Sequence, residues 1–342
     1  MIDIKCLYDL SNESYLRVKS EAELYAAPSS TDEMAKALRF ARENNHPVHV
    51  LGNGSNVLFA PFVPGLTLST KNLCAVTFRK NTLTSGSGNN NAFLVNECKK
   101  LGLSGLEYSV GFPGSTGGLI AMNAAYNADT LSKELEEKGL HDVNLTTHGI
   151  VKSVRAINPD GEIVNIENKD LGFSYRESIF QKEKNGWIVC DATFELQPRS
   201  IEEVKSIRNV MQKTRRSKEK HGKSLGCVFC PRDSSYIYKG ETRTASWLLG
   251  QIEGVSGWRE GGMYIDDIFP NHILHDKNGT AEGFLRLAER MRLAVFKELG
   301  VDLRLEVRSF PADYIPTTLE KIHIEQASLI QLAQQRSQSP QP

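Results

Sequence analysis

The chain has no surplus of either charge: its 342 residues carry 41 lysines and arginines against 41 aspartates and glutamates. Proteins that grip nucleic acid through its phosphates need a basic excess, so bulk nucleic-acid binding is not expected. One local basic site for a phosphate-bearing small molecule remains compatible with this balance. Long apolar runs are also missing. Nothing approaches the roughly 18 uninterrupted apolar residues of a membrane span, and the N-terminal "MIDIKCLYDLSNES" has no apolar signal core. The cytosol is the expected compartment, with no membrane partner. Cysteine is scarce: six in the whole chain, too few for a disulfide framework. The single C-x-x-C, Cys227 and Cys230 in "GKSLGCVFCPRD", has its nearest sequence histidine, His221, in front of it. A zinc knuckle wants about four ligands, so no metal is expected. A thioredoxin-type disulfide needs the pair at a strand-to-helix turn. Here Val228 and Phe229 lie between the cysteines and read as strand residues, whose side chains alternate between faces.

Glycine, by contrast, is dense in two places. "HPVHVL" reads as a strand and runs into "GNGSN", residues 52–56. Nucleotide-binding glycine loops of the Rossmann and Walker kinds lie between a strand and a helix. This one is followed by "VLFAPFVPGLTLST", strand-like and broken by prolines. Its backbone N–H groups still suit a phosphate nest, although a plain tight turn explains the stretch as well. The second place is "GLEYSVGFPGSTGGLIAMNAAYN", where Gly111, Gly114, Gly117 and Gly118 surround Ser115 and Thr116, with Asn123 after an apolar run. Small residues at this density let backbone approach a ligand closely. The two loops together suit the pyrophosphate of a dinucleotide; the alternative is an ordinary pair of turns.

Periodicity supplies the framework. Residues 30–44 read as a helix with a Ser30/Glu33 capping box and Met34, Leu38 and Ala41 on one face. "NNAFLVNECKKLG" is a shorter helix ended by Gly102. "IVKSVRAINPDGEIVNI" is a hairpin with Asp160-Gly161 at its turn. "WIVCDATFEL" is a strand with Cys190 in a core. Residues 200–213 form a helix opened by Ser200 and Glu203, with Ile201, Val204, Ile207 and Met211 inward. Residues 282–299 form another, ended by Gly300, and "VDLRLEVRSF" then alternates as a strand. A basic strip, "KTRRSKEKHGK", precedes the cysteine pair, and the Gln/Ser/Pro-rich tail after about residue 325 is expected to be disordered. The fold class is mixed α+β, with the glycine loops early and a second lobe after about residue 215.

Six segments in this order, "LGNGSNVLF", "GLSGLEYSVGFPGSTGGLIAMNAAY", "LGFSYRESIF", "SLGCVF", "EGGMYI" and "LRLEVR", resemble the UDP-N-acetylenolpyruvoylglucosamine reductase family. They span about residues 48–310. The resemblance implies an FAD-binding lobe of the PCMH (vanillyl-alcohol oxidase-like) type in two subdomains, 1–72 and 73–214. A substrate-binding domain, 215–310, and a C-terminal extension, 311–342, would follow. It implies non-covalent FAD, NADPH as co-substrate, a nucleotide-sugar substrate and no obligate protein partner. The work would be the step that completes UDP-N-acetylmuramate for peptidoglycan, and with it cell-wall biogenesis, cell shape and division.

By position, the resemblance assigns Gly52, Asn53, Gly54, Ser55 and Asn56, with Gly111, Gly114, Ser115, Gly117, Gly118 and Asn123, to the FAD. Arg176, after Tyr175, would stand at the reacting centre. Cys227 occupies the place of the family's proton-donating serine, and Glu306 that of its glutamate. Tyr175, Lys218 and Lys220 would face the substrate. Three stretches depart from the family pattern: "RVKSEAELYA" lacks a Gly-Gly, "NAAYN" lacks two glycines, and "SKEKHGKS" lacks a proline and a glutamine. They keep two alternatives open: a related FAD oxidoreductase on another nucleotide-sugar or enol-ether substrate, and a non-catalytic flavin-binding protein.

Overall fold

The structure, a computed structural model, describes residues 2–126, 131–184, 186–216 and 222–323. Lys218, Lys220 and the tail lie outside them. By backbone contacts the chain forms two compact units, one of Met1–Asp9, Glu21–Ser55 and Pro64–Glu219, the other of Leu10–Ser20, Asn56–Val63 and Lys220–Pro342. The sequence suggested consecutive blocks. Two early segments, Leu10–Ser20 and Asn56–Val63, belong instead with the C-terminal half.

Besides the short pair of Leu103–Ser104 and Gln197–Pro198, the first unit holds two sheets. One has the order Lys5–Asp9, Glu21–Ala26, Phe62–Ser69, Val48–Leu51, and its last pair is parallel. The helix Thr31–Glu43 lays Met34, Ala37, Leu38 and Ala41 into a core with Leu66, Leu68 and the expected Cys190. Ser30 caps this helix by accepting from Glu33 N at 3.2 Å. The expected capping box is modified: the Glu33 carboxylate accepts from Ser29 N, not from Ser30 N, at 2.8 Å. The other sheet has the order Ile163–Glu167, Val151–Ile157, Ile188–Glu195, Thr82–Gly86, Val76–Arg79. Its hairpin turns where expected, with Gly161 at φ +89°. The helix Ile201–Arg216 carries a complete capping box, Ser200 N donating to Glu203 and Glu203 N to Ser200. Val204, Ile207 and Met211 are buried as expected; Ile201, expected inward, is 52 % exposed. It sits in the first turn, before the helix reaches the core.

The second unit is built on the helix Ala281–Leu299, capped by Thr280 and ended by Gly300 in the left-handed region. Phe284, Leu287, Ala288, Met291 and Val295 form its buried face, against Leu16, Leu58, Phe229 and Tyr236. The proline-broken run splits after Phe59: Val57–Phe59 pairs in parallel with Arg308–Phe310 here, while Phe62–Ser69 joins the first sheet. The alternating segment 301–307 is not the expected strand. It is extended, with Val301, Leu303 and Val307 buried, but only Leu305 forms a bridge, with Phe229. Alternation reports a half-buried extended chain; a strand also needs a neighbour that keeps register. Among the described residues no helix is long and apolar enough to cross a membrane.

Candidate active site

In the first unit the two glycine loops come together. A Cβ added to Gly52 would stand 3.1 Å from Ser115 Oγ. One on Gly114 would stand 2.9 Å from Asn91 Nδ2 and 3.9 Å from Ser55 Oγ. The second loop ends in the short helix Thr116–Ala121, where Ser115 accepts from Gly118 N. Gly111 has φ +76°, and a Cβ there would sit 2.6 Å from Arg215 Cδ, so the position has neither the backbone geometry nor the room for a side chain. Arg215, the basic strip's best-placed described member, stacks 3.8 Å over the Phe112 ring and donates to Val110 O at 3.4 Å.

The cradle has the character of a ligand site. Ser87 Oγ and Asn91 Oδ1 are buried polar atoms with no hydrogen-bond partner among the described residues, and buried polar atoms ordinarily find one. Asn91 lies beside Gly114, and Ser87 accepts through its carbonyl from Gly117 N at 2.9 Å. Side-chain-free backbone, with the unmatched Ser87 hydroxyl as a further donor, fits the pyrophosphate of FAD, whereas the Asn91 amide oxygen accepts and calls for a donor on the ligand.

Arg176 sits in the same unit, in a tight turn. Ser174 and Glu177 exchange both backbone hydrogen bonds at 3.2 Å, leaving Tyr175 and Arg176 as the two central residues. Arg176 adopts φ +58°, sparsely populated for a residue with a side chain. The surroundings hold it there. Arg176 Nη1 donates to Ala125 O at 3.4 Å, Ser178 Oγ to Ala121 O at 2.9 Å, and Gln181 Nε2 to Ala121 O at 2.6 Å. Carbonyls at a helix C-terminus lack intrahelical partners, and Ala121 finds two in this segment. Tyr175 is 48 % exposed, with the Arg176 guanidinium 5.7 Å from its ring centre.

The side chain of Asn123, a residue expected with the FAD loops, is engaged in the arginine turn. Its Nδ2 donates to Ser174 O at 2.9 Å and its Oδ1 accepts from His148 N at 3.2 Å. It braces the arginine turn from φ +38°. The fully buried Tyr108 packs nearby: burial drives its hydroxyl well above the ordinary tyrosine range, opposed by the Thr147 hydrogen bond and the Arg176 charge.

The second unit carries the remaining residues. Gly226 turns at φ +79°, and the chain then runs extended through Cys227–Cys230 between two other segments. On one side Val228 N donates to Asn271 O, and Cys227 bridges His272. On the other, Cys230 N donates to Arg304 O and Glu306 N to Val228 O, at 2.8 and 2.9 Å. Asn56, expected at the FAD, belongs to this unit. Its Nδ2 donates to Glu306 O at 3.2 Å, and its carbonyl accepts from Arg308 N. The glutamate backbone is thereby tied to both the cysteine segment and Asn56.

All six cysteines are free, so Cys227 and Cys230 are thiols. Cys230 is buried, and burial and then the Glu306 carboxylate raise its thiol above the ordinary value. Cys227 is half-buried, and its sulfur lies 3.6 Å from His272 Nε2. The sequence reading missed this histidine. Its only local sign was one of the two histidines in "FPNHILH", with nothing to link it to a cysteine 45 residues away.

Asn271 holds this arrangement. It is fully buried; its Oδ1 accepts from Phe229 N at 2.9 Å and its Nδ2 donates to Phe229 O at 2.8 Å. Asn271→Ala leaves both buried backbone groups unmatched and is expected to destabilise the protein by about 2–4 kcal/mol. A urea-unfolding midpoint equal to wild type would contradict this.

Comparisons with known proteins agree with the geometry. A family model described as "FAD binding domain" matches residues 22–134, and one described as "UDP-N-acetylenolpyruvoylglucosamine reductase, C-terminal domain" matches 217–310. The first stretch holds both glycine loops, the second Cys227, His272 and Glu306; Arg176 lies between them. The UDP-N-acetylenolpyruvoylglucosamine reductase of Moorella thermoacetica is 30% identical over 300 residues, 87% of this chain and 90% of that protein. That of Limosilactobacillus reuteri is 29% identical over 310 residues, 90% of this chain and 95% of that protein. The crystal structure of the Thermus caldophilus enzyme superimposes with a TM-score of 0.70 at 25% identity, covering 91% of this chain and 99% of that one.

Proposed function

Since the chain belongs to the UDP-N-acetylenolpyruvoylglucosamine reductase family, we propose that it uses NADPH to reduce UDP-N-acetylglucosamine enolpyruvate to UDP-N-acetylmuramate. It is an FAD-dependent oxidoreductase of peptidoglycan synthesis, acting in the cytosol on a nucleotide-sugar substrate. The observation that carries the reading is the cradle of the two glycine loops, with the Ser87 hydroxyl buried and unmatched beside it.

Gly52–Ser55 and Gly111–Gly118 would hold the FAD pyrophosphate, and the segment after residue 215 would receive the substrate. When bound, the FAD supplies to the methylene carbon of the enolpyruvyl ether the hydride that NADPH provides. Negative charge then grows on the neighbouring carbon and spreads into its carboxylate. The Arg176 guanidinium, planar and always charged, stabilises that enolate more than the ground-state carboxylate, which is the requirement for catalysis. By the family resemblance Glu306, when protonated, donates a hydrogen bond that steadies the enolate, or it orients a water or arginine. Cys227 completes the reaction: its S–H bond breaks as a C–H bond forms at the carbanionic carbon. A thiol, with a reference pKa of about 8.5, is a more acidic donor than a hydroxyl.

The direct test is NADPH oxidation by the purified protein with and without the enolpyruvyl nucleotide sugar. Oxidation that depends on it, with UDP-N-acetylmuramate formed, is expected; flavin reduction without substrate reduction would overturn the reading. The FAD is expected to be non-covalent. The protein should purify yellow, and acid precipitation should release free FAD. Flavin retained on the denatured chain would contradict the non-covalent assignment.

A further inference from the structure

The fold brings His272 to Cys227: Sγ and Nε2 stand 3.6 Å apart, a hydrogen-bonding distance for sulfur. We propose that the two form a thiol–imidazole couple, in which His272 holds the sulfur and restores its proton after Cys227 has given it to carbon. The second half rests on the proton-donor role assigned to Cys227 above.

Three observations carry the couple. First, the segments that bear the two side chains are locked together. Cys227 and His272 are bridge partners, and the next residues, Val228, Phe229 and Asn271, share three hydrogen bonds of 2.8–2.9 Å. Second, the histidine backbone is fixed at both ends: His272 N donates to Phe269 O at 2.8 Å, and His272 O accepts from Asp266 N at 2.9 Å. The Phe269 ring lies 5.8 Å from the imidazole. Third, the neighbouring groups that resemble Cys227 chemically are engaged elsewhere. Ser224 Oγ accepts from Gly226 N at 3.0 Å, and Cys230 is buried with its sulfur 3.9 Å from Leu305 O. The thiol–imidazole contact is therefore specific to Cys227 within its own segment.

The chemistry follows from the pairing. When Cys227 protonates the enolate carbon, the sulfur is left as a thiolate. An imidazolium at His272 gives its Nε2 proton to that sulfur, and the neutral imidazole takes a proton from solvent. One solvent proton is consumed per turnover, and no electrons move in this step. Histidine suits the task because its ordinary pKa, about 6.5, lets it load and unload near neutrality. A neighbouring imidazolium also favours the thiolate that the donation leaves behind, so it makes Cys227 a readier proton donor and a faster nucleophile. His272 acts through Cys227 and is a positioning and proton-restoring residue.

The test is the rate at which iodoacetamide alkylates Cys227 near neutral pH in the FAD-loaded protein, followed by peptide mass spectrometry. Wild type, His272→Ala and His272→Gln are compared, with the exposed Cys6 and Cys74 as internal standards. Cys227 is expected to react about tenfold more slowly in both variants, as for a thiol that has lost a cationic partner, while the standards do not change. Turnover with the enolpyruvyl substrate should also fall, and added imidazole should restore part of it in His272→Ala but not in His272→Gln, where a side chain fills the space. If His272→Ala does not fold, His272→Gln carries the alkylation comparison. Unchanged Cys227 alkylation in a folded variant overturns the couple; a turnover loss in His272→Ala that imidazole leaves untouched overturns the proton-restoring role. A wild-type protein that never reduces the substrate would refute the proposed function alone, because the alkylation rates still decide the couple.

Discussion

Cys227→Ala is expected to lower turnover by about 10²–10⁴-fold, the range for loss of a general acid, while NADPH still reduces the flavin at its normal rate. Cys227→Ser is expected to keep most of the activity, because a hydroxyl in the same place can give the same proton. The structure explains why no other thiol or hydroxyl of the segment compensates. Cys230 is buried against Leu305 O, and Ser224 accepts from Gly226 N. Cys230→Ala should therefore retain near wild-type turnover, and dithiothreitol should not change the activity of untreated protein, since the two cysteines are free thiols. Stopped-flow separation of the two half-reactions makes the check. Full activity in Cys227→Ala would leave the residue as packing.

Arg176→Ala is expected to slow the hydride step to substrate by about 10²–10³-fold, as for loss of one donor aimed at a developing oxyanion, with flavin reduction by NADPH again unaffected. Any non-glycine residue at φ +58° carries backbone strain of order 1 kcal/mol or more, so the backbone term is similar in Arg176→Ala and Arg176→Lys. The lysine variant keeps a positive charge without the planar fork and should lose less. Equal losses in the two variants would mean that the guanidinium's shape, not its charge, matters. Reoxidation by substrate at the wild-type rate in Arg176→Ala would falsify the assignment. Asn123 enters indirectly: Asn123→Ala removes the donor to Ser174 O and should reproduce part of the Arg176→Ala effect by loosening the turn.

The sequence by itself determined the elements whose causes are local. Capping residues and apolar spacing along one face are properties of consecutive residues, so the helices Thr31–Glu43, Ile201–Arg216 and Ala281–Leu299 were legible, as was the Asp160-Gly161 hairpin. Glycine density marked both loops of the cradle, because the demand for backbone without side chains is written at each position. The order of the motifs was enough to suggest the family. Only the tertiary structure decided what depends on residues far apart in the chain. It turned the alternation of 301–307 into an extended segment with one bridge, since pairing requires a partner that alternation does not name. It tied the Asn56 side chain to the carbonyl of Glu306 and the Asn123 side chain to the arginine turn, because a side-chain amide takes whichever partners the fold brings within reach. It also set His272 against Cys227: a contact across 45 residues is fixed by the packing of two extended segments around Asn271, and no local pattern in either segment encodes it.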